Sequence, residues 1–348
     1  MKKGLATVAQ HTDFDEIIDA RTPAEFAEDH LPGALNLPVL DNEQRIVVGT
    51  TYKQRSAFEA RRIGGAMVAE NIARHLAGVL ADKPKSWRPL VYCWRGGQRS
   101  GAFVTWLRMV GWDAHQLEGG YKNWRRMVVQ ELETLPRGLS WRVVAGPTGS
   151  AKTAVLAALA RRGAQVLDLE GLAAHRGSVL GSLPGRPQPT QKSFETALFT
   201  RLRSFDAGRP VYVEAESRKI GLIHLPAALI ERMRASPCMV IDAPRNARLD
   251  YLLRDYAWLG DDSAHLQNAL ARLHGLQSRE TLARWHDWAG SGALDELFAE
   301  LIDMHYDPLY RRSQAQNYSA LGKAISLSTA TLDDAAIDAL AEAILASP

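Results

Sequence analysis

From residue 13 to 133, short apolar runs alternate with stretches of helical period. F-D-E-I-I-D-A predicts a strand ending at Asp19, and L-P-G-A-L-N-L-P-V predicts a second extended piece. Between them, T-P-A-E-F-A-E-D-H predicts a helix with Thr22 as N-cap, Pro23 at the first helical position and Glu25 three residues after the cap. P-L-V-Y-C reads as a buried strand with Cys93 at its carboxyl end, and R-S-G-A-F-V-T-W-L-R-M-V as a helix that begins near Ser100 and is stopped by Gly111. The pattern breaks at Pro136-Arg137-Gly138, which predicts two domains, 1–135 and 136–348. A second series follows. W-R-V-V-A, Q-V-L-D-L, P-V-Y-V-E, C-M-V-I-D-A and A-I-S-L-S predict strands separated by helical segments. The expected class is α/β, with a parallel sheet in the second half and additional helices from about 245 to 317.

Composition narrows the picture modestly. A chain of 348 residues exceeds one ordinary hydrophobic core, which agrees with two domains. The hydrophobic share of 46% and charged share of 23% are those of a globular protein in water. The N-terminus has no apolar h-region, and no apolar run reaches membrane-spanning length, so neither a signal peptide nor a membrane partner is expected. The two cysteines, Cys93 and Cys238, sit in unlike contexts without a C-x-x-C or Cys/His cluster; a reducing cytoplasm is the expected location. A net charge of +3 says little about partners. The pairs Arg61-Arg62, Arg125-Arg126, Arg161-Arg162 and Arg311-Arg312 are solvated helix faces or, if they share a surface, an RNA footprint.

The string Y-C-W-R-G-G-Q-R-S places Cys93 between a strand and a helix. A thiolate is stabilised near a helix N-terminus and near cations, and this loop offers both. Gly96 and Gly97 let main-chain N–H groups curl toward the sulfur, while Arg95 and Arg99 supply positive charge. The bland alternative is a buried structural cysteine, which is how Cys238 in P-C-M-V-I-D reads. Cys93 and Arg99 also fit the C-x5-R spacing of a phosphatase cradle, although no His precedes the Cys and no general acid is identifiable.

G-P-T-G-S-A-K-T follows a predicted strand and opens a helix. It fits the phosphate-loop pattern G-x-x-x-x-G-K-[ST] at Gly146, Lys152 and Thr153, with Ala151 in place of the second glycine. The amides of this loop, including Thr148, Gly149 and Ser150, would cradle a diphosphate at a helix N-terminus. Lys152 would reach a terminal phosphate and Thr153 could take Mg²⁺. Asp168, Glu170, Glu214, Glu216 and Asp242 stand at strand ends, where a carboxylate binds metal, acts as a base or caps a helix. Asp168, Glu214 and Glu216 are the candidate acids, without a firmly assigned metal, and Arg218 is a further candidate for holding a diphosphate.

Residues 13 to 133 resemble the rhodanese family. The likeness lies in D-A-R at Asp19–Arg21, E-F at Glu25-Phe26, H-L-P-G-A-L-N-L-P at His30–Pro38, the Cys93 loop, and L-E-G-G-Y-K-N-W at Leu117–Trp124. Over nearly the whole chain, the order of the halves and the strings L-E-G-L-A-A-H-R-G-S, Q-P-T-Q-K-S-F-E, V-E-A-E-S-R-K-I-G and Y-D-P-L-Y resemble the bacterial tRNA 2-selenouridine synthases. That resemblance implies a rhodanese-like domain fused to a P-loop domain, acting on the wobble 2-thiouridine of tRNA. It implies S-geranylation from geranyl diphosphate, then replacement of the geranylthio group by selenium from selenophosphate, with Cys93 carrying the chalcogen and no tightly bound cofactor. Trp258, Arg284-Trp285, Trp288 and Arg311-Arg312 are candidate tRNA contacts. Two rival readings remain: a P-loop kinase of a nucleoside or small metabolite with an accessory sulfurtransferase domain, and a non-catalytic rhodanese-type binding module.

Overall fold

All four residues of Pro89–Tyr92 are buried, so this strand has no solvent face toward which to alternate. Such a run belongs inside a parallel sheet covered on both faces. In a computed structural model of the chain, describing residues 4–318 and 322–347, it occupies the middle of one. The chain packs as two compact units: residues up to Glu131 together with Glu195–Thr200, and Leu132–Phe194 together with the chain from Arg201 onward.

The first unit holds the strands β1 (Leu5–Ala6), β2 (Glu16–Asp19), β3 (Leu35–Asn36), β4 (Pro89–Tyr92) and β5 (His115–Leu117). They form a parallel sheet in the order β1-β5-β4-β2-β3. Its core includes Ile18, Val91, Phe103 and Leu107. The predicted cap is present: the Thr22 hydroxyl accepts from the Glu25 amide while Glu25 reaches back to the Thr22 amide. The helix after β4 runs Gln98–Val110, two residues earlier than expected, and Gly111 ends it with a left-handed φ of 115°. Two helices, Asn42–Gln54 and Ala57–Ala77, were not foreseen. The first buries no residue fully and rests on its caps, Asp41 with Gln44. Gly64 lets the pair approach closely, since an added Cβ there would stand 3.1 Å from Val48.

The second unit holds β6 (Trp141–Ala145), β7 (Gln165–Leu167), β8 (Val211–Glu214), a small antiparallel pair β9 (Lys219–Ile220) and β10 (Ile223–His224), β11 (Cys238–Asp242) and β12 (Ile325–Ser328). The large sheet is parallel in the order β12-β11-β6-β8-β7, which confirms the parallel α/β class expected for this half. Residues 245–317 fold into helices with a core of their own, built on Leu259, Leu266, Trp285 and Phe298. Among the described residues no helix is long and apolar enough to cross a membrane.

Candidate functional site

Each unit presents one loop leaving the middle strand of its sheet and entering a helix, the position where ligands bind in α/β sheets. In the first unit that loop follows β4. Cys93 is only 3% exposed, yet its sulfur is not surrounded by hydrocarbon. The Ser100 hydroxyl donates to Cys93 Sγ at 3.0 Å. Gln116 Nε2 donates to Ser100 Oγ at 2.9 Å and to the Gly97 carbonyl at 3.1 Å. Gln116 occupies a lone pair of the serine oxygen, and the serine proton has two acceptors, Cys93 Sγ at 3.0 Å and the Gly97 carbonyl at 3.4 Å. The hydrogen bond that reaches Sγ therefore comes from a side chain, where main-chain amides had been expected. Neither Ser100 nor Gln116 was singled out by the sequence; the serine lies seven positions after the cysteine, beyond the glycines that drew notice.

Of the two loop glycines only Gly96 is sterically required, together with Gly120 from the segment packed against it; a Cβ on Gly97 would meet nothing within 4 Å. Gly96 has φ 64°, and a Cβ there would meet the Leu117 carbonyl at 2.7 Å. A Cβ on Gly120 would stand 2.2 Å from the Cys93 carbonyl oxygen, which also accepts from the Tyr121 amide at 2.8 Å. The two arginines divide their roles. Arg99 makes a two-pronged ion pair with Glu25, at 2.6 and 3.1 Å. Burial alone would raise the Glu25 carboxyl, but the Arg99 hydrogen bonds and charge hold it below its ordinary value. Arg99 is thus committed to Glu25 and does not act as a free cation for the sulfur, nor as the arginine of a phosphatase cradle. Arg95 is exposed and carries no ion pair among the described residues. Deeper in, Asp19 and Arg21 form a buried pair at 2.6 Å; Tyr92 donates to Asp19 at 2.7 Å, and Arg21 lies 4.0 Å from the Tyr121 ring centre. The pair stands at the end of β2, and through Tyr92, the last residue of β4, it is tied to the strand that leads into Cys93. Cys238, by contrast, is buried, and burial pushes its thiol up to about 11, as suits a core residue.

In the second unit the loop after β6 opens on a cavity of about 710 Å³. Gly146, Thr148, Gly149, Ala151, Lys152 and Thr153 line it, with Asp168, Glu214 and Glu216. Ala151 adopts φ 56°, ψ 26° directly before the helix Lys152–Arg161. The loop takes the left-handed turn at this position even with a methyl group, at a cost of about 1–2 kcal/mol. Gly149 has φ 84°, and a Cβ there would meet the Arg248 carbonyl at 2.9 Å. Arg248 donates to the Thr148 carbonyl at 3.1 Å and pairs with Asp307 at 2.8 Å through both prongs. Two predicted residues fall outside the cavity lining. Ser150 is fully buried beneath the loop, and Arg218 is exposed at the surface.

Glu170, Glu214 and Glu216 each bring a carboxylate oxygen within 4.8 Å of the others. Glu170 also accepts from the Thr153 hydroxyl at 3.3 Å. Burial first, then the charges of Glu214 and Glu216, raises the Glu170 carboxyl against the pull of Lys152 and Thr153. Glu216 is raised by burial and by Glu214, and Glu214 itself chiefly by burial. Glu214 is 5% exposed and its Oε1 has no hydrogen-bond partner. Asp168, by contrast, is exposed and caps the helix Leu169–Ala173 by accepting from the Gly171 amide at 2.7 Å. Glu170, two residues on, is the acid that joins the cluster; V-L-D-L-E offered both, and strand-end position alone could not choose between them. Gly177 closes over these acids: at φ 65°, its added Cβ would lie 2.4 Å from Glu170 Oε1 and 3.2 Å from Glu216 Oε1.

The candidate RNA residues are mixed. Trp285 is wholly buried and donates to Glu300 at 2.8 Å, so it is core; Trp258 and Trp288 pack partly buried against the same core. Arg284 pairs with Glu300, Arg125 with Glu195, and Arg161 and Arg162 with Asp338. Arg61, Arg62, Arg311 and Arg312 are exposed.

Comparison with known proteins adds identity to this geometry. Residues 4–127 match the rhodanese-like domain model, and residues 139–284 match the tRNA 2-selenouridine synthase AAA domain model. A tRNA 2-selenouridine synthase of Aeromonas salmonicida (strain A449) is 35% identical over 323 residues, covering 84% of this chain and 86% of that protein. The chain belongs to the tRNA 2-selenouridine synthase family. The Alcanivorax borkumensis (strain SK2) member is 33% identical over 84% of this chain and 88% of its own length. The Nitrosomonas eutropha (strain C91) tRNA 2-selenouridine synthase is 38% identical over 69% of this chain, and the match spans 62% of that relative's length. Both matched models include one of the two loops described above, Cys93 in the rhodanese-like part and Lys152 in the synthase-specific part.

Proposed function

We propose that the chain converts wobble 2-thiouridine of tRNA to 2-selenouridine through S-geranyl-2-thiouridine. The phosphate loop holds geranyl diphosphate in this reading. The thiouridine sulfur attacks the C1 carbon of the geranyl group, the C1–O bond breaks, and diphosphate leaves with the electron pair while the base loses its N3 proton. Lys152 and the loop amides stabilise the departing charge. Alkylation turns a poor leaving group into a good one. The selenium of selenophosphate, held beside the Cys93 thiol with no change of oxidation state, then attacks C2 and expels geranylthiolate, and water cleaves the P–Se bond to release phosphate and leave selenium on the base. The observation that supports this assignment is the pairing, in one member of this family, of a hydroxyl-held cysteine with a phosphate loop beside three clustered acids.

Mg²⁺ fits the second site. Glu214 Oε1 is buried without a partner and three carboxylates crowd together, a charge deficit that a divalent oxygen-binding ion would fill. Glu170, Glu214, Glu216 and the Thr153 hydroxyl would hold it, and it would supply positive charge to the diphosphate. In a reaction with thiolated tRNA, geranyl diphosphate and selenophosphate, Cys93→Ser is expected to accumulate geranylated nucleoside and form no selenouridine. Equal loss of both products would count against the division of labour. ATP turnover without tRNA would instead favour the kinase reading, although Asp168 is already engaged as a helix cap and Asp242 lies outside the cavity lining.

A further inference from the structure

The strings Q-P-T-Q-K-S-F-E and V-E-A-E-S-R-K-I-G meet in space through two glutamines. Gln188 donates to the Ala173 and Ile220 carbonyls at 3.0 and 3.1 Å and accepts from the Leu222 amide at 2.7 Å. Gln191 accepts from the His224 amide at 2.9 Å and donates to the His224 carbonyl at 2.8 Å. Both strands of the β9–β10 hairpin are thereby pinned to the chain beside them. Gly221 seats the turn: at φ 57°, an added Cβ would collide with Gln188 Oε1 and lie 2.7 Å from His175 Cδ2. His175 lines the phosphate-loop cavity, and so do Glu216 and Ser217 at the foot of the hairpin. The hairpin therefore stands on the cavity rim. Residues 177–194 and 217–230 contain no Asp or Glu, yet they carry Arg186, Lys192, Arg218 and Lys219. Arg186, Arg218 and Lys219 are exposed and carry no ion pair among the described residues. Lys219 faces His224 across the pair, so the register offers it no carboxylate. The main chain is already satisfied here. Ser217 Oγ accepts from the Lys219 amide at 3.2 Å and donates to the Lys219 carbonyl at 2.6 Å, and the Leu225 amide donates to the Arg218 carbonyl at 3.0 Å. The hairpin is built without its cationic side chains, which are left free for something outside the chain.

We propose that the β9–β10 hairpin and the adjoining Arg186 loop hold the sugar-phosphate backbone of the substrate tRNA at the cavity rim, through Arg218, Lys219 and Arg186. The inference rests on the proposed reading that the thiouridine enters this cavity, and adds the surface that brings it there. A rim of exposed cations without acids suits a polyanion that continues beyond the cavity. Arg218 lies outside the lining, so a diphosphate seated on the loop does not account for it. Phosphate contacts fix the register of a nucleic acid without reading its bases. That role matches side chains that stand clear of the space the base must enter.

Fluorescence anisotropy of the full chain with thiolated tRNA at several salt concentrations tests this, beside calorimetry with inorganic pyrophosphate and Mg²⁺. Arg218→Ala and Lys219→Ala together are expected to weaken tRNA binding about tenfold or more. The slope of log affinity against log salt should become shallower by about 1.5, the share of two phosphate contacts. Pyrophosphate affinity should not change. The charge-keeping pair Arg218→Lys and Lys219→Arg should bind tRNA within about twofold of the native chain, because the contact is one of charge. Unchanged tRNA affinity and salt slope in the double alanine variant, with the native chain still geranylating tRNA, would overturn the surface and leave the proposed function standing. Failure of the native chain to bind thiolated tRNA would remove both. Loss of pyrophosphate binding with tRNA binding intact would return Arg218 to the diphosphate and overturn the inference. An equal loss of tRNA binding in the charge-keeping variant would make the hairpin's role structural and overturn it as well.

Discussion

The two loops share a position and differ in what they lack. Both leave the central strand of a five-stranded parallel sheet and lead into a helix. The cysteine loop is largely self-contained: its sulfur is nearly enclosed and met by a hydroxyl, and Arg99 is satisfied by Glu25. The phosphate loop is open, borders a large cavity, and has beside it three acids with raised affinity for protons. The first is built around an atom of the chain itself. The second is incomplete as a charge distribution and gains most from what binds it.

Removing the cation from the open loop gives the sharpest contrast. Lys152→Ala is expected to lower geranylation by two to three orders of magnitude, the usual scale for an electrostatic stabiliser. Selenation of tRNA geranylated beforehand should persist; nucleoside analysis of both reactions checks this, and parallel loss would erase the contrast. Next comes Gly177→Ala, which strains a left-handed residue and drives a methyl group into the Glu170 and Glu216 carboxylates. A loss of tenfold or more in geranylation is expected, with Cys93 alkylation by iodoacetamide unchanged. Ser100→Ala probes the closed loop. A hydrogen bond to a charged group contributes about 1.5–3 kcal/mol, so iodoacetamide should alkylate Cys93 about tenfold more slowly.

Acidity separates the loops again. Glu170 rises from its ordinary 4.5 to about 9, and Glu216 from 4.5 to about 8. A raised folded-state value means the fold favours the protonated form, so this stability is complete below about pH 4.5 and is lost as pH rises toward 8–9. Melting temperature without divalent ions should therefore decline across that window, and Mg²⁺ should restore more at pH 9 than at pH 5. A flat profile would contradict the clustered-acid account. Smallest of all, Ala151→Gly relieves a left-handed alanine but removes a buried methyl and loosens the unfolded chain. A stability gain of no more than about 1 kcal/mol is expected in denaturant unfolding.

Much of this was legible in the sequence because backbone demands leave strong marks. The parallel strands, the Thr22–Glu25 cap, the Gly111 stop and both strand-loop-helix units follow from local pattern. What stayed hidden depends on chain segments far apart in sequence. Arg99 reads as a cation for the sulfur until the fold brings Glu25 to it from 74 positions away. Asp168 and Glu170 are equivalent as letters, and only the short helix after β7 makes one a cap and the other a cluster member. Trp285 looked like an RNA contact because an Arg precedes it, and it proved to be the centre of a helical core. Ser150 belongs to the loop motif, but the turn that exposes the amides also tucks this side chain underneath.

The Arg248 guanidinium grips the Thr148 carbonyl with one hand and Asp307 with both prongs. One side chain is thus a rivet between the phosphate-loop turn, 100 residues before it, and a helix that begins 59 residues after it. Neither can be reshaped without loosening the other, so sequence drift in that distal helix is mechanically yoked to the turn, and transplanting the turn alone into another scaffold would leave it slack.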